Sequence, residues 1–171
     1  DIKNIKKLPN KIKKFILIDL KKITSKRKNL NKHINISEPL IMGILNLTPD
    51  SFSDGGLYNQ PKKAFSRASD MISCGANIID IGGESTRPGS KDIPHQTEWK
   101  RVEKVLCNFK KKFPKTFLSI DTRKAEVMLK AIKYKSNLIN DVSGFKYDHT
   151  AIEKIKNYDV WKVLHHMQGT P

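Results

Sequence analysis

Cysteine is scarce in this chain: Cys74 and Cys107 are the only two among 171 residues. Their separation matches neither a zinc-ligand spacing nor a disulfide framework, so the fold is expected to stand without a metal or covalent staple. A chain of this length can bury an adequate core by itself and suits a single domain. Long apolar runs are also missing. The longest, residues 39–45 and 76–81, are strand-sized and far from the ~18 residues of a membrane span. The first residues are basic, with scattered isoleucine, leucine and phenylalanine but no apolar core of a secretory signal. Together these absences point to a cytoplasmic protein with reduced thiols.

Acidic residues and arginine are in short supply too. There are 17 acidic against 33 basic residues, a formal charge of +16, and only 5 of the basic residues are arginine. Residues 1–38 hold 12 basic and 3 acidic residues, over half of the excess. Sequence-specific nucleic-acid readers lean on the planar fork of arginine, and no zinc finger, helix-turn-helix or aromatic-basic RNA motif is present. The charge is read as a lysine-rich background, with no specific nucleic-acid partner and no membrane partner. Residues 1–38 form a basic lead-in, in which weak alternation over 15–20 and a partner stretch over 28–37 predict a short β-hairpin.

From residue 39 the pattern becomes regular. Residues 39–45 are a continuous apolar run, as in a strand buried on both faces. A polar, glycine-containing loop follows to Gln60, and Pro61 opens a helix whose Ala64, Ala68, Met71 and Ile72 share a face. Residues 77–81 make a second strand, and residues 82–94 a second glycine- and proline-containing loop. Trp99, Val102, Leu106, Phe109 and Phe113 step by three and four, a helical stripe that Pro114 ends. Residues 116–120, 137–140 and 160–165 are the third to fifth strands. Ala125, Met128, Leu129 and Ile132 mark the helix between the third and fourth, and a weaker helix precedes the fifth. Alternating strands and helices mean a parallel sheet with right-handed crossovers. Long polar loops after strands and short ones after helices fit a (β/α)₈ TIM barrel, here with about five strands and four helices. A doubly wound sheet is the other candidate, and periodicity does not separate the two.

The chemistry gathers in the loops after the strands. The first, residues 46–56, brings Asn46, Asp50, Asp54 and three hydroxyls around one aromatic, Phe52. Polar loops on a rigid scaffold are where binding residues sit. Asn46, at the strand end, can offer one hard oxygen to Mg²⁺, which completes its shell with water and phosphate. The second loop, residues 82–90, combines glycines, Ser85, Thr86 and Arg87, the donors of a phosphate cradle, without the spacing of a Walker motif. Asp121 and Asn140 end the third and fourth strands. A carboxylate and an amide at one mouth suit a heterocycle with alternating N–H and C=O groups, although Asp121 could instead cap the following helix. His165 and His166 are neighbours on the fifth strand and face opposite sides, so they make no metal pair.

Residues 41–56 and 75–89 closely resemble the two signatures of the dihydropteroate synthase family. The pieces Ser119-Ile120-Asp121-Thr122, Ile139-Asn140-Asp141 and His166-Met167-Gln168-Gly169 follow in that family's order. The likeness covers roughly residues 30–171, so residues 39–171 are read as a pterin-binding barrel domain.

That resemblance implies a transferase of folate biosynthesis. It condenses 6-hydroxymethyl-7,8-dihydropterin pyrophosphate with p-aminobenzoate, giving 7,8-dihydropteroate and pyrophosphate, with Mg²⁺. It implies Asn46 at the metal, Thr86 and Arg87 on the pyrophosphate, and Asp121 and Asn140 in the pterin pocket. Phe52 and Pro88 would flank p-aminobenzoate, and Asp54 would stabilise the pterin methylene. An intact member is expected to be a homodimer, an expectation that does not extend to this chain alone. The chain departs from the family at Arg123, Ala125 and His165, and its five strands stop short of eight, so it is expected to be inactive alone. The alternatives are a pterin-binding methyltransferase domain or a decayed basic fragment without activity.

Overall fold

The computed structural model describes residues 5, 7–25, 38–48, 60–85 and 89–166. The chain divides into two units, Asp1–Pro39 and Leu40–Pro171.

The first unit corrects the expected hairpin. Residues 15–20 lie inside a helix, α1 (Asn10–Thr24), and residues 28–37 fall outside the described residues. Phe15, Ile16, Leu17 and Ile18 run without period-two alternation, whereas Ile12, Ile16 and Leu20 repeat every four residues. Lysine is a good helix former, and Pro9 precedes the first turn, where its missing N–H costs nothing.

The second unit is a parallel sheet with helical crossovers. Its strands are β1 (Met42–Asn46), β2 (Ile78–Gly82), β3 (Phe117–Asp121), β4 (Leu138–Asp141) and β5 (Trp161–Leu164). Between them lie α2 (Gln60–Ser73), α3 (His95–Lys112), α4 (Ala125–Lys133) and α5 (Ala151–Ile155). The strand order is β1-β2-β3-β4-β5, with every neighbour parallel. A doubly wound sheet reverses its order at a switch point. This one never reverses, which is the winding of a barrel, here a partial one of five strands.

One face of the sheet is covered by helices. Leu45, Ile79, Ile81, Leu118, Ile120 and Ile139 join Ala64, Ala68, Val102, Leu106, Phe109, Met128 and Ala131 in one core. The stripes expected from periodicity are those that pack, and Phe109 meets Phe113 at 5.1 Å between ring centroids. The opposite face follows from strand alternation. Its base tier holds Met42, Ile78 and Phe117, and its middle tier Ile44, Asp80, Ser119, Leu138 and Trp161. The top tier, at the C-terminal strand ends, holds Asn46, Gly82, Asp121, Asn140 and Val163.

β1 differs from expectation. The apolar run predicts a strand buried on both faces, yet Ile44 is 64% exposed. β1 pairs only with β2 and ends the row of strands, so its side away from the helices lacks the flanking neighbour that an inner strand has.

Candidate functional site

The register places Asn46, Gly82, Asp121 and Asn140 side by side at one end of the sheet. Gly82 makes this tier usable. A Cβ there would lie 3.2 Å from Asn46 Oδ1 and 3.4 Å from Asp121 Oδ2. Glycine therefore leaves open the gap between an amide oxygen and a carboxylate.

Asn140 is held in one orientation. Its Nδ2 donates to Asp80 Oδ2 at 2.8 Å. The amide nitrogen is thus turned down into the sheet, which leaves the oxygen available at the mouth. Asp80 is a further residue of this candidate site that the sequence analysis does not single out, and the lone carboxylate in Ile78-Ile79-Asp80-Ile81 is its signal. It is buried, and burial raises its pKa despite Ser119 and Asn140, the polar groups that face its carboxyl and lower it.

Asp121 is pushed up to about 7, first by burial and then by the negative charges of Asp80, Glu98, Asp141 and Glu84. Near neutral pH it can donate as an acid or accept as a carboxylate. The helix-capping alternative does not hold: α4 starts at Ala125 with Lys124 at its cap, and the Ala125 N–H donates to Asp148 Oδ2 at 3.0 Å. Asp121 is left for the mouth.

A second cluster orders the start of the second loop. Glu84 Oε1 accepts from Lys124 Nζ at 2.7 Å, and its Oε2 from Arg123 Nη2 at 3.0 Å. Lys124 also lies 3.2 Å from the fully buried Glu98 and 3.3 Å from Asp92. Burial alone would lower the pKa of Lys124, but Glu84 and Glu98 outweigh it and raise it. Arg123 stacks on Tyr147 at 4.3 Å, and the Tyr147 hydroxyl donates to Asp92, whose pKa that bond helps lower to about 2. Arg123, a departure from the family pattern, is therefore tied into the loop it faces. Just before Glu84, a Cβ on Gly83 would lie 2.8 Å from Val102 Cγ1 and 2.9 Å from the Glu98 carbonyl, so α3 packs directly on backbone.

The structure brings together Asn46, Asp121 and Asn140 among the expected site residues. Phe52, Asp54, Thr86, Arg87 and Pro88 lie outside the described residues. His165 and His166 are exposed, and no group of three or more potential metal-ligating His, Cys, Asp or Glu occurs among the described residues. A cavity of about 460 Å³ beside Asp92, His95, Lys124 and Tyr147 does not include the strand-end residues.

The family model described as pterin binding enzyme matches residues 42–171. The dihydropteroate synthase of Clostridium beijerinckii is 46% identical over 137 residues, 80% of this chain and 51% of that protein. That of Escherichia coli is 41% identical over 138 residues, 81% of this chain and 48% of that protein. Among solved structures, the Clostridium difficile enzyme in the presence of pteroic acid has a TM-score of 0.72 and 44% identity, over 77% of this chain and 50% of that one. The Xanthomonas albilineans enzyme with 4-aminobenzoic acid has a TM-score of 0.73 and 38% identity, over 79% of this chain and 49% of that one. The chain spans about half the length of these relatives. With a barrel-order sheet, a polar tier at its strand ends and a family model matched from Met42 onward, the chain belongs to the pterin-binding enzyme family, and these relatives within it are dihydropteroate synthases.

Proposed function

We propose that this chain carries the pterin and pyrophosphate half of a dihydropteroate synthase. The observation that supports it best is the tier formed by Asn46, Gly82, Asp121 and Asn140, with Asp80 fixing the Asn140 amide from below. A reduced pterin presents alternating N–H and C=O groups. An acid poised at about 7 and an amide of defined orientation can read that edge.

In this reading Thr86 and Arg87 hold the pyrophosphate, and Glu84 anchors the loop that carries them. Phe52 and Pro88 flank p-aminobenzoate, and Asp54 stabilises the electron-poor pterin methylene. The donor set fits Mg²⁺ in a limited way: Asn46 offers one hard oxygen, which suits an ion that takes most of its shell from water and substrate. When bound, Mg²⁺ would help neutralise the pyrophosphate charge. The C–O bond to pyrophosphate breaks as the dihydropterin ring donates electrons, and a carboxylate at Asp121 favours the cationic ring. The p-aminobenzoate nitrogen then forms the new C–N bond and loses a proton. Its neutral amine needs positioning more than a base. A cytoplasmic location belongs to the same proposal, with Cys74 and Cys107 as free thiols suited to a reducing compartment. Homodimerisation is proposed for an intact enzyme.

Calorimetric titration of the chain with the pterin pyrophosphate and Mg²⁺ tests this reading. Saturable binding that Asp121→Ala and Asn140→Ala each weaken about tenfold or more is expected. Binding that neither substitution changes would overturn the reading. The chain alone is expected to bind without forming dihydropteroate, and clear turnover would refute that part.

A further inference from the structure

We infer that α1 is an interfacial helix that docks on an anionic phospholipid surface. At 100° per residue, Lys13, Ile16 and Leu20 form its half-buried stripe. On the other side, an arc of about 160° holds Leu17, Lys21, Lys14, Ile18, Lys11 and Phe15, all of them exposed, with the positions of Asn10 and Lys22 between them. Four lysine and three large apolar positions are interleaved there, with no acid between them, while Ile12 and Ile23, also exposed, lie outside the arc. Asp19 lies outside this arc and has an interaction partner of its own. Phe15 is 63% exposed and Ile18 42%, a cost in water that a partner would remove.

The interleaving selects the partner. A helical protein partner rewards a continuous apolar stripe, which lysines interrupt on this arc. A nucleic acid rewards the lysines and leaves Phe15, Leu17 and Ile18 in water. An anionic bilayer surface rewards both, because lysine stems lie along the apolar layer while their ammonium groups reach the phosphates. The surrounding charge agrees: residues 1–38 hold 12 basic and 3 acidic residues. This departs from the sequence-based expectation of no membrane partner. That expectation rested on the lack of a span, and no helix among the described residues is long and apolar enough to cross a membrane. A helix lying on the surface needs no such length.

Co-sedimentation of the full chain with vesicles tests the inference, using phosphatidylcholine alone and phosphatidylcholine mixed with phosphatidylglycerol. Binding to the mixed vesicles only, fading with salt, is expected. The pair Phe15→Ser and Ile18→Ser should weaken it about tenfold, and Phe15→Leu with Ile18→Leu should restore it. Lys11→Ala, Lys14→Ala and Lys21→Ala together should also weaken it about tenfold. No binding to the mixed vesicles, or binding that the serine pair leaves unchanged, would overturn the inference. So would RNA binding tighter than vesicle binding and indifferent to the serine pair, which would make α1 a general polyanion contact.

Discussion

Asn140 reaches over β3 to donate its Nδ2 hydrogen to Asp80 Oδ2 at 2.8 Å, linking two strands that do not pair with each other. The residue opposite Asp80 on the intervening strand is Ser119, small enough to let the bond pass. In the proposed function, the bond decides which end of the Asn140 amide the pterin meets.

Asp80→Asn tests that relationship. An asparagine at this position can donate, so Asn140 is free to turn its oxygen down and present N–H at the mouth. Affinity for the pterin should fall about tenfold, while stability to urea should change by less than about 1 kcal/mol. Unchanged affinity by titration calorimetry would show that the Asn140 orientation does not matter for binding.

Asp121 makes stability depend on pH. Its value in the fold is about 7 against an ordinary 3.8, so between those values the folded chain keeps a proton that the unfolded chain has released. The stabilisation is present in acid and is lost as pH rises through about 7. The slope contributed by one such group is at most about 1.4 kcal/mol per pH unit. Asp121→Asn should therefore gain stability over the native chain at pH 8 and much less at pH 5, by urea titration. An equal difference at both values would place the titrating group elsewhere.

Much of this was legible from the sequence, and the limits have physical causes. All five strands follow from short apolar runs bounded by turn residues, and the stripe from Trp99 to Phe109 follows from its period. Asp121 and Asn140 stand out as polar residues that end apolar runs. Barrel and doubly wound order share one local pattern, so only strand pairing could separate them. Asp80 is not legible in the same way, because a buried polar residue inside a strand looks like a break in the pattern until its partner, 60 residues away, is known. Residues 15–18 are apolar without alternation and so fit a strand or a helix, and the four-residue repeat of Ile12, Ile16 and Leu20 goes with the helix.

The Glu84 cluster should matter for stability, with salt giving little relief. Glu84 is buried and meets both Arg123 and Lys124, whose side chains are only 15% and 7% exposed. Glu84→Gln removes the charge and leaves Lys124 facing Glu98 and Asp92. A loss of about 2 kcal/mol is expected in urea unfolding, below the usual cost of breaking a fully buried pair because other acids remain. The exposed Lys154–Glu126 pair, at 2.7 Å, provides the control: Glu126→Gln should have little effect, and that effect should shrink further in salt. If the two substitutions behaved alike, the Glu84 cluster would be an ordinary surface network.

Two adjacent glycines should separate folding from binding. A methyl at Gly83 would meet Val102 Cγ1 at 2.8 Å and the Glu98 carbonyl at 2.9 Å. The carbonyl belongs to the backbone of α3 and cannot turn aside, so Gly83→Ala should cost about 1–3 kcal/mol by overpacking. At Gly82 the methyl would meet two side-chain oxygens, Asn46 Oδ1 at 3.2 Å and Asp121 Oδ2 at 3.4 Å, both of which can give way. Gly82→Ala should therefore cost little in unfolding and fill the gap between the amide and the carboxylate. Pterin affinity should drop about tenfold with the unfolding midpoint nearly unchanged. The reverse result, in which Gly82→Ala unfolds the chain and Gly83→Ala mainly weakens binding, would mean that the ligand lies nearer α3 than the strand ends.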